Sequence, residues 1–262
     1  MPPGLPYLSL VVPAFNESAT ITRTLDAMRN YLDAQPWAWE VIVSADGVDG
    51  TRERAIEFSA GDNRFAVIGS SQRLGKGHGV REGVMRAAGQ IIGFLDADYK
   101  TPVEEIEKIL PEFQQGYDVV IGSRRVGEAR VEVAQPLYRR AGSKIFGLLM
   151  RRMMGLPSVR DTQCGFKFFT RNAARALFSL QRIDGYMFDI EILRLCQLLN
   201  LRIKETGVRW RDDGDSRYDP IWGSIRNARE LLRIKGVRYD LDSVQSPALP
   251  LEQPRPPERT AA

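Results

Sequence analysis

The chain of 262 residues has a single histidine, His78, and two cysteines, Cys164 and Cys196. One histidine excludes a metal centre built on two imidazoles and leaves one candidate for any nucleophile triad, so zinc-hydrolase and serine-hydrolase chemistry lack their parts. Two cysteines cannot make a disulfide framework, and Met1 to Gly4 shows neither the basic nor the apolar segment of a secretory signal. The expected compartment is a reducing cytoplasm. No apolar run approaches the roughly 18 residues that a membrane span needs; the longest are pieces such as Leu8 to Val12 and Ile91 to Leu95. A surplus of one charge is missing as well, because 37 basic against 33 acidic side chains leave only +4. Its basic residues gather in a few places rather than in a long stripe with aromatic platforms, so a nucleic-acid binder is disfavoured. What is present is 43% hydrophobic residues, enough for a core of ordinary size.

From Tyr7 to Gly122, short β-rich runs alternate with helical patterns, which predicts an α/β fold: a mainly parallel central sheet with helices on both faces. The expected strands are Leu8 to Val12, Glu40 to Val43, Phe65 to Ile68, Ile91 to Leu95 and Asp118 to Ile121. Ile21, Leu25, Met28 and Leu32 fall at helical spacing between the first two. A later helix is expected to open with Thr101 as N-cap, Pro102 at its first position, and Glu104 and Glu105 in its first turn. One domain over residues 1–242 is expected. A nucleotide-sugar half would cover about 7–122 and an acceptor half about 123–242. The segment 243–262 holds five prolines and almost no large apolar residue, and reads as a disordered tail.

Ligands of open α/β sheets collect at the carboxyl ends of the strands. There the chain places Pro13 to Glu17, Asp46 to Thr51, Gly75 to Gly79, Asp96-Ala-Asp98 and Gly122 to Arg125. Carboxylates, glycines and arginines gathered on one edge are what a nucleotide diphosphate with a divalent cation requires. Asp96 and Asp98, alternate residues leaving a strand, can offer two hard oxygen ligands to Mg²⁺ or Mn²⁺, although Asp-x-Asp is also a common turn. Gly75 to Gly79, with Lys76, can cradle phosphate or serve as a plain turn before a helix from Val80 to Ala88. Tyr186 to Glu191 contains Asp189, either a general base or a carboxylate at a helix start. His78 reads as a surface loop residue.

These segments, above all Arg160 to Thr170 (Arg-Asp-Thr-Gln-Cys-Gly-Phe-Lys-Phe-Phe-Thr), resemble the GT-A fold, Rossmann-like glycosyltransferases of family 2. Within that family the likeness is to the enzymes that glycosylate dolichyl and bacterial polyprenyl phosphates, and it covers about Leu8 to Arg233. The resemblance implies an inverting, metal-dependent hexosyltransferase. Its donor would be a UDP-sugar, UDP-glucose foremost, its acceptor a polyprenyl phosphate, and its cofactor Mg²⁺ or Mn²⁺. It implies that Pro13, Phe15, Asn16 and Glu17 hold base and ribose, that Asp46 contacts uracil, and that Asp96 and Asp98 serve ribose, diphosphate and metal. Arg124, Arg139 and Ser143 match the groups that embrace the phosphates in mannosyl-transferring relatives. Two departures stand out. Ser44 to Thr51 either substitutes both leading aspartates of the family's loop or lacks one residue, the latter keeping Asp46 in role. Lys100 stands where some relatives carry a metal-binding glutamine, and an ammonium has no lone pair to offer.

A phosphate acceptor, with a second pKa near roughly 6, is mostly dianionic at neutral pH and needs no protein base. A hydroxyl acceptor would need one, and Asp189 is the candidate. Two basic amphipathic segments, about Pro136 to Met154 and Gly223 to Lys235, either pack on the core or lie in a lipid headgroup layer. The expected location is the cytoplasmic face of a membrane, held peripherally. The alternatives are a family member acting on a soluble sugar or glycan, and a nucleotide-sugar binding protein without turnover.

Overall fold

A computed structural model describes residues 5–127, 129–133, 150–211 and 222–244. The five apolar runs form β1 (Leu8–Phe15), β2 (Trp39–Asp46), β3 (Phe65–Ile68), β4 (Ile91–Leu95) and β5 (Val119–Ser123). Successive side chains of a strand point to opposite faces. Leu8, Leu10 and Val12 therefore join one hydrophobic cluster and Val11 the other. Pro13 lies inside β1, paired with Ser44, but β4 follows β1 only as far as Val11. Its missing N–H is tolerated because the strand has become an edge there.

Four more strands follow: β6 (Arg130–Val133), β7 (Phe166–Thr170), β8 (Ile203–Gly207) and β9 (Arg209–Arg211). The main sheet has the order β3-β2-β1-β4-β7-β5-β8, while β6 and β9 form a separate parallel ribbon. Strand β7 runs antiparallel to both β4 and β5, and all other pairings of the main sheet are parallel. A strand from the second half of the chain is thus inserted between two strands of the first. The two expected halves share one sheet.

Helices α1 (Ile21–Asp33), α2 (Thr51–Phe58) and α4 (Ile106–Gln114) cover one face of that sheet. Between α2 and α4 in the chain comes α3 (Lys76–Arg86), which covers the other face together with α5 (Arg171–Leu180), α6 (Phe188–Leu198) and α7 (Trp222–Gly236). Ile21, Leu25, Met28 and Leu32 are all buried, as their spacing requires.

Several expectations are corrected. Helix α3 begins at Lys76, so Gly77 and Gly79 are helical, not a loop, and His78 sits half-buried in the first turn. A Cβ on Gly77 would stand 2.6 Å from the Ile183 carbonyl, and one on Gly79 2.8 Å from Ser44 Oγ. Close packing explains these glycines, and the His78 N–H donates to the Asp184 carbonyl at 3.2 Å instead of facing a phosphate. The helix after β4 is not capped by Thr101. Pro102 stays extended at ψ 143°, a 3₁₀ turn spans Val103–Glu105 as Glu105 turns inward, and α4 starts at Ile106. In α7, Leu231 and Ile234 are buried in the core, so that helix spends its apolar stripe on packing while Leu232 stays exposed. Of Pro136 to Met154 only residues 150–154 are described. They are helical, with Met150 and Met154 in the core. Arg139 and Ser143 lie outside the described residues, as does the tail beyond Val244. Leu241–Ser243 form a 3₁₀ turn, and Val244 packs against the core, two residues past the expected domain end. No helix among the described residues is long and apolar enough to cross a membrane.

Strand β7 carries a charge into the interior. Lys167 is fully buried, and its ammonium donates to Asp189 Oδ1 and to the Cys164 carbonyl, each at 2.6 Å. Phe94 offers its ring 5.6 Å away. Removing one partner of a buried ion pair costs about 3–5 kcal/mol, whereas replacing both with apolar groups is often neutral. Lys167→Met is expected to lower unfolding free energy by about that amount in urea titration, and Lys167→Met with Asp189→Leu to recover most of it. A double variant as unstable as the single one would contradict this.

Candidate active site

The site begins where β4 ends. Leu95 pairs with Phe166, and the Asp96 N–H donates to the Gly165 carbonyl at 3.2 Å. The Asp96 carboxylate lies directly against the Gly165 backbone, so any Cβ at position 165 would overlap it. The glycine in Cys164-Gly-Phe166 leaves the room that the Asp96 carboxylate occupies. Asp98 follows on the same loop, which α1 supports from below through Thr24 Oγ1 donating to the Ala97 carbonyl at 2.8 Å. Tyr99 turns the chain away with φ 55°, a left-handed conformation costing a non-glycine residue about 1–2 kcal/mol.

Each carboxylate has a lysine. Lys76 Nζ is 2.6 Å from Asp96 Oδ1, and Lys100 Nζ is 3.0 Å from Asp98 Oδ2. Burial alone would discourage the Lys76 charge, but Asp96 and then Asp189 outweigh it and push its pKa above the ordinary lysine range. The Asp98 carboxyl is raised by burial and by the charge of Asp96, against the pull of Lys100. Lys100, at the position where some relatives carry a glutamine, is thus paired with Asp98.

On the β1–β2 side, Asp46 ends its strand opposite Phe15. Ser44 and Ala45 are buried residues of β2. Asp46 accepts the N–H of Ser70 at 3.1 Å and of Leu74 at 2.9 Å, so it holds the loop after β3 in place. That loop carries Arg73, whose guanidinium lies 4.3 Å from the Phe15 ring centroid, a cation–π contact that residue spacing did not signal. Asn16 is left-handed at φ 57°, and the Glu17 N–H donates to Thr51 Oγ1 at 2.8 Å. Asp49, just before the start of α2, accepts the Thr51 N–H at 3.1 Å and also the Ser18 N–H, stitching the two loops together.

On the β5 side, Arg124 closes its fork on Asp161, with Nε at 2.7 Å and Nη2 at 2.8 Å, while its backbone N–H donates to the same carboxylate. Glu205 of β8 in turn accepts the N–H groups of Arg160 and Asp161. Arg124 also lies 5.2 Å from the ring centroid of Trp210, which lines a narrow slot with Asp96, Asp98 and Gly165. Asp189 occupies the first turn of α6, the second of its two sequence readings, and is buried on Lys167 away from solvent. Burial raises its pKa, opposed by Lys167. It is not an accessible base. Asp96, Asp98, Lys76 and Arg124 are thus gathered on one edge, with Phe15, Asn16, Glu17 and Asp46 along it, whereas Asp189 lies beneath. Arg73, Asp161, Glu205 and Trp210 were not assigned from sequence. Asp161 lies inside the quoted motif, and only its partner across the sheet reveals its part.

Comparison with known proteins identifies the class to which this sheet and its edge belong. The model of glycosyl transferase family 2 matches residues 9–178, and the chain belongs to that family. It is a glycosyltransferase with a GT-A fold. Among its relatives is a dolichyl-phosphate β-glucosyltransferase of Trichomonas vaginalis. That protein is 33% identical over 246 residues, covering 88% of this chain and 72% of the relative. The mouse enzyme of the same name is 34% identical over 246 residues, covering 88% and 75%. Among solved structures, glucosyl-3-phosphoglycerate synthase from Mycobacterium tuberculosis, in complex with Mn²⁺, UDP and phosphoglyceric acid, superposes with a TM-score of 0.65 at 23% identity. The match covers 89% of this chain and 80% of that one.

Burial alone would raise the Asp161 carboxyl, but the hydrogen bonds and charge of Arg124 hold it near 2, below the ordinary 3.8. A depressed carboxyl stabilises the fold above its unfolded pKa and loses that contribution as pH falls through its folded pKa. Asp161→Asn is therefore expected to cost about 2 kcal/mol at pH 7. The deficit should shrink between pH 4 and about 2 in urea midpoints measured across that range. A deficit independent of pH would contradict the assignment.

Proposed function

We propose that the chain transfers glucose from a UDP-sugar to the phosphate of a dolichol-type polyprenol, with inversion at the anomeric carbon. The observation that carries this reading is the pair Asp96 and Asp98 at one sheet edge, each balanced by a lysine ammonium. The relatives named dolichyl-phosphate β-glucosyltransferases support acceptor and sugar, and the fold neighbour holding UDP and Mn²⁺ supports the donor class.

Phe15, Asn16, Glu17 and Asp46 border the base and ribose, with Arg73 over Phe15 as one wall. Asp96 and Asp98 are the residues that would hold Mg²⁺ or Mn²⁺. Two carboxylates completed by substrate phosphate oxygens suit these hard cations, and the lysines show that the edge already carries cationic charge. When bound, the cation supplies charge neutralisation at the diphosphate leaving group. No group of three or more acidic, histidine or cysteine residues that could hold a metal occurs among the described residues. Lys76 and Lys100 sit where departing phosphate charge is balanced, and Arg124, fixed by Asp161, adds a positive wall without losing alignment. A dianionic acceptor attacks without a base, which suits a site whose sequence-named base, Asp189, is occupied by Lys167. The polyprenyl chain of the acceptor requires work at a membrane surface. Exposed Arg226, Arg229, Arg233 and Leu232 on α7 support peripheral attachment.

Incubation with labelled UDP-glucose, Mn²⁺ and dolichyl phosphate is expected to yield a lipid-extractable, mild-acid-labile sugar phosphate. A water-soluble glycoside would instead favour a soluble acceptor, and donor binding without product a binding protein. Asp98→Ala is expected to lower kcat on the order of 10²-fold or more, as loss of a charge-stabilising group does, with the melting temperature little changed. Retention of most activity would contradict the role given to Asp98.

A further inference from the structure

Lys76 reaches Asp96 from the first position of α3, and that helix start has no side-chain cap. The first N–H groups of a helix find no partner inside it. Here the chain between α5 and α6 supplies what is missing. The Asp184 carbonyl accepts the His78 N–H at 3.2 Å, and the Asp184 carboxylate takes Arg81, one turn further on, at 2.8 Å. Buried Gln181 donates through Nε2 to the Gly77 carbonyl at 2.9 Å and to the Ile183 carbonyl at 2.7 Å. The two segments touch closely, since a Cβ at position 75 would stand 2.2 Å from the Asp184 carbonyl oxygen. Residues 181–184 therefore form the seat on which Lys76 stands.

That seat has no helix or strand of its own, and one carboxylate holds it from behind. Glu191 of α6 is fully buried. Its Oε1 accepts the Arg182 N–H and the Tyr239 hydroxyl, each at 2.9 Å, and its Oε2 accepts the Ile183 N–H at 2.8 Å. Two residues earlier on the same helix, Asp189 holds Lys167. Side chains two positions apart on an α-helix point about 200° away from each other. One helix start thus fixes β7 with one acid and the seat of α3 with the other. Glu230 of α7 accepts the Met187 N–H at 3.0 Å and secures the far end of the segment.

The two N–H groups of Arg182 and Ile183 meet different oxygens, so both oxygens must accept. A glutamine in place of Glu191 keeps one acceptor and turns an NH₂ toward the other N–H. The backbone at 182–183 then has to move, and it carries the Gln181 amide and the Asp184 carbonyl with it. Both are bonded to the first turn of α3, one and two residues after Lys76. Small misplacements of a charged group that binds a reacting phosphate are costly, even when they begin far from it.

We propose that Glu191, acting through Gln181 and Asp184, is a positioning residue for Lys76 and through it for the donor diphosphate. The proposal rests on the reading of Lys76 as a counter-charge to that diphosphate. Calorimetry of UDP with Mn²⁺ on the full chain tests it as a double-mutant cycle. Lys76→Met alone is expected to raise the UDP Kd about tenfold or more. Glu191→Gln and Gln181→Met are each expected to raise it about threefold or more while Lys76 is present, and less than about 1.5-fold when combined with Lys76→Met. Gln181→Met is the milder of the two. Gln181 Oε1 has no hydrogen-bond partner among the described residues, so methionine gives up only the two Nε2 bonds and decides the matter if Glu191→Gln does not fold. Equal factors with and without Lys76, or no change in either case, overturn the proposal, because support of the fold alone does not depend on Lys76. An unchanged Kd for Lys76→Met by itself brings down the donor reading of Lys76, a failure visible before position 181 or 191 is altered.

Discussion

A buried ammonium on a reversed strand sets the geometry of this site. Strand β7 enters the sheet antiparallel between β4 and β5, and Lys167 passes into the interior where Asp189 and the Cys164 carbonyl accept its hydrogen bonds. An uncompensated charge there would be prohibitively costly, so Asp189 and the start of α6 must lie beneath β7. With that register held, Gly165 falls opposite Asp96 and Asp161 falls beside Arg124. The motif Arg160 to Thr170 is thus mainly a construction element. It aims the catalytic edge rather than supplying most of its reacting groups.

The edge itself is electrostatically divided. Asp96 and Asp98 face Lys76 and Lys100, and the neighbouring walls are arginines or arginine-backed aromatics. Burial and the charge of Asp96 raise the Asp98 carboxyl against the pull of Lys100, while Lys76, paired with Asp96, is held above the ordinary lysine range. Two of the three left-handed non-glycine residues among the described ones, Asn16 and Tyr99, lie in the loops after β1 and β4, and the third, Asn200, lies in the turn before β8.

Much of the fold was legible because parallel strands buried on both faces are continuous apolar runs, as in Ile91 to Leu95. The position of Asp96 and Asp98 at the end of β4 was legible because they directly follow such a run, although Asp-x-Asp is also a common turn. The direction of β7 was not, since Phe166 to Thr170 reads identically in either orientation. Lys167, a lone charge among phenylalanines, was the available sign that the segment is interior. The start of α3 was missed because Gly77 and Gly79, poor helix formers, are demanded by packing on the Ile183 carbonyl and Ser44. The amphipathic pattern of α7 fits a core or a lipid layer equally; in the fold Leu231 and Ile234 meet the core while Leu232 and the arginines beside it stay exposed. Arg73 and Trp210 come to the site by tertiary contact alone.

The central claim is that one sheet edge, framed by β7, gathers donor diphosphate and a divalent cation. The most direct measurement is anomalous scattering from a crystal grown with UDP-glucose and Mn²⁺. The account predicts one manganese peak between the Asp96 and Asp98 carboxylates, with Lys76 and Lys100 withdrawn from them and the uracil near Phe15. A peak elsewhere, or both lysines still paired beside an ordered donor, would contradict it.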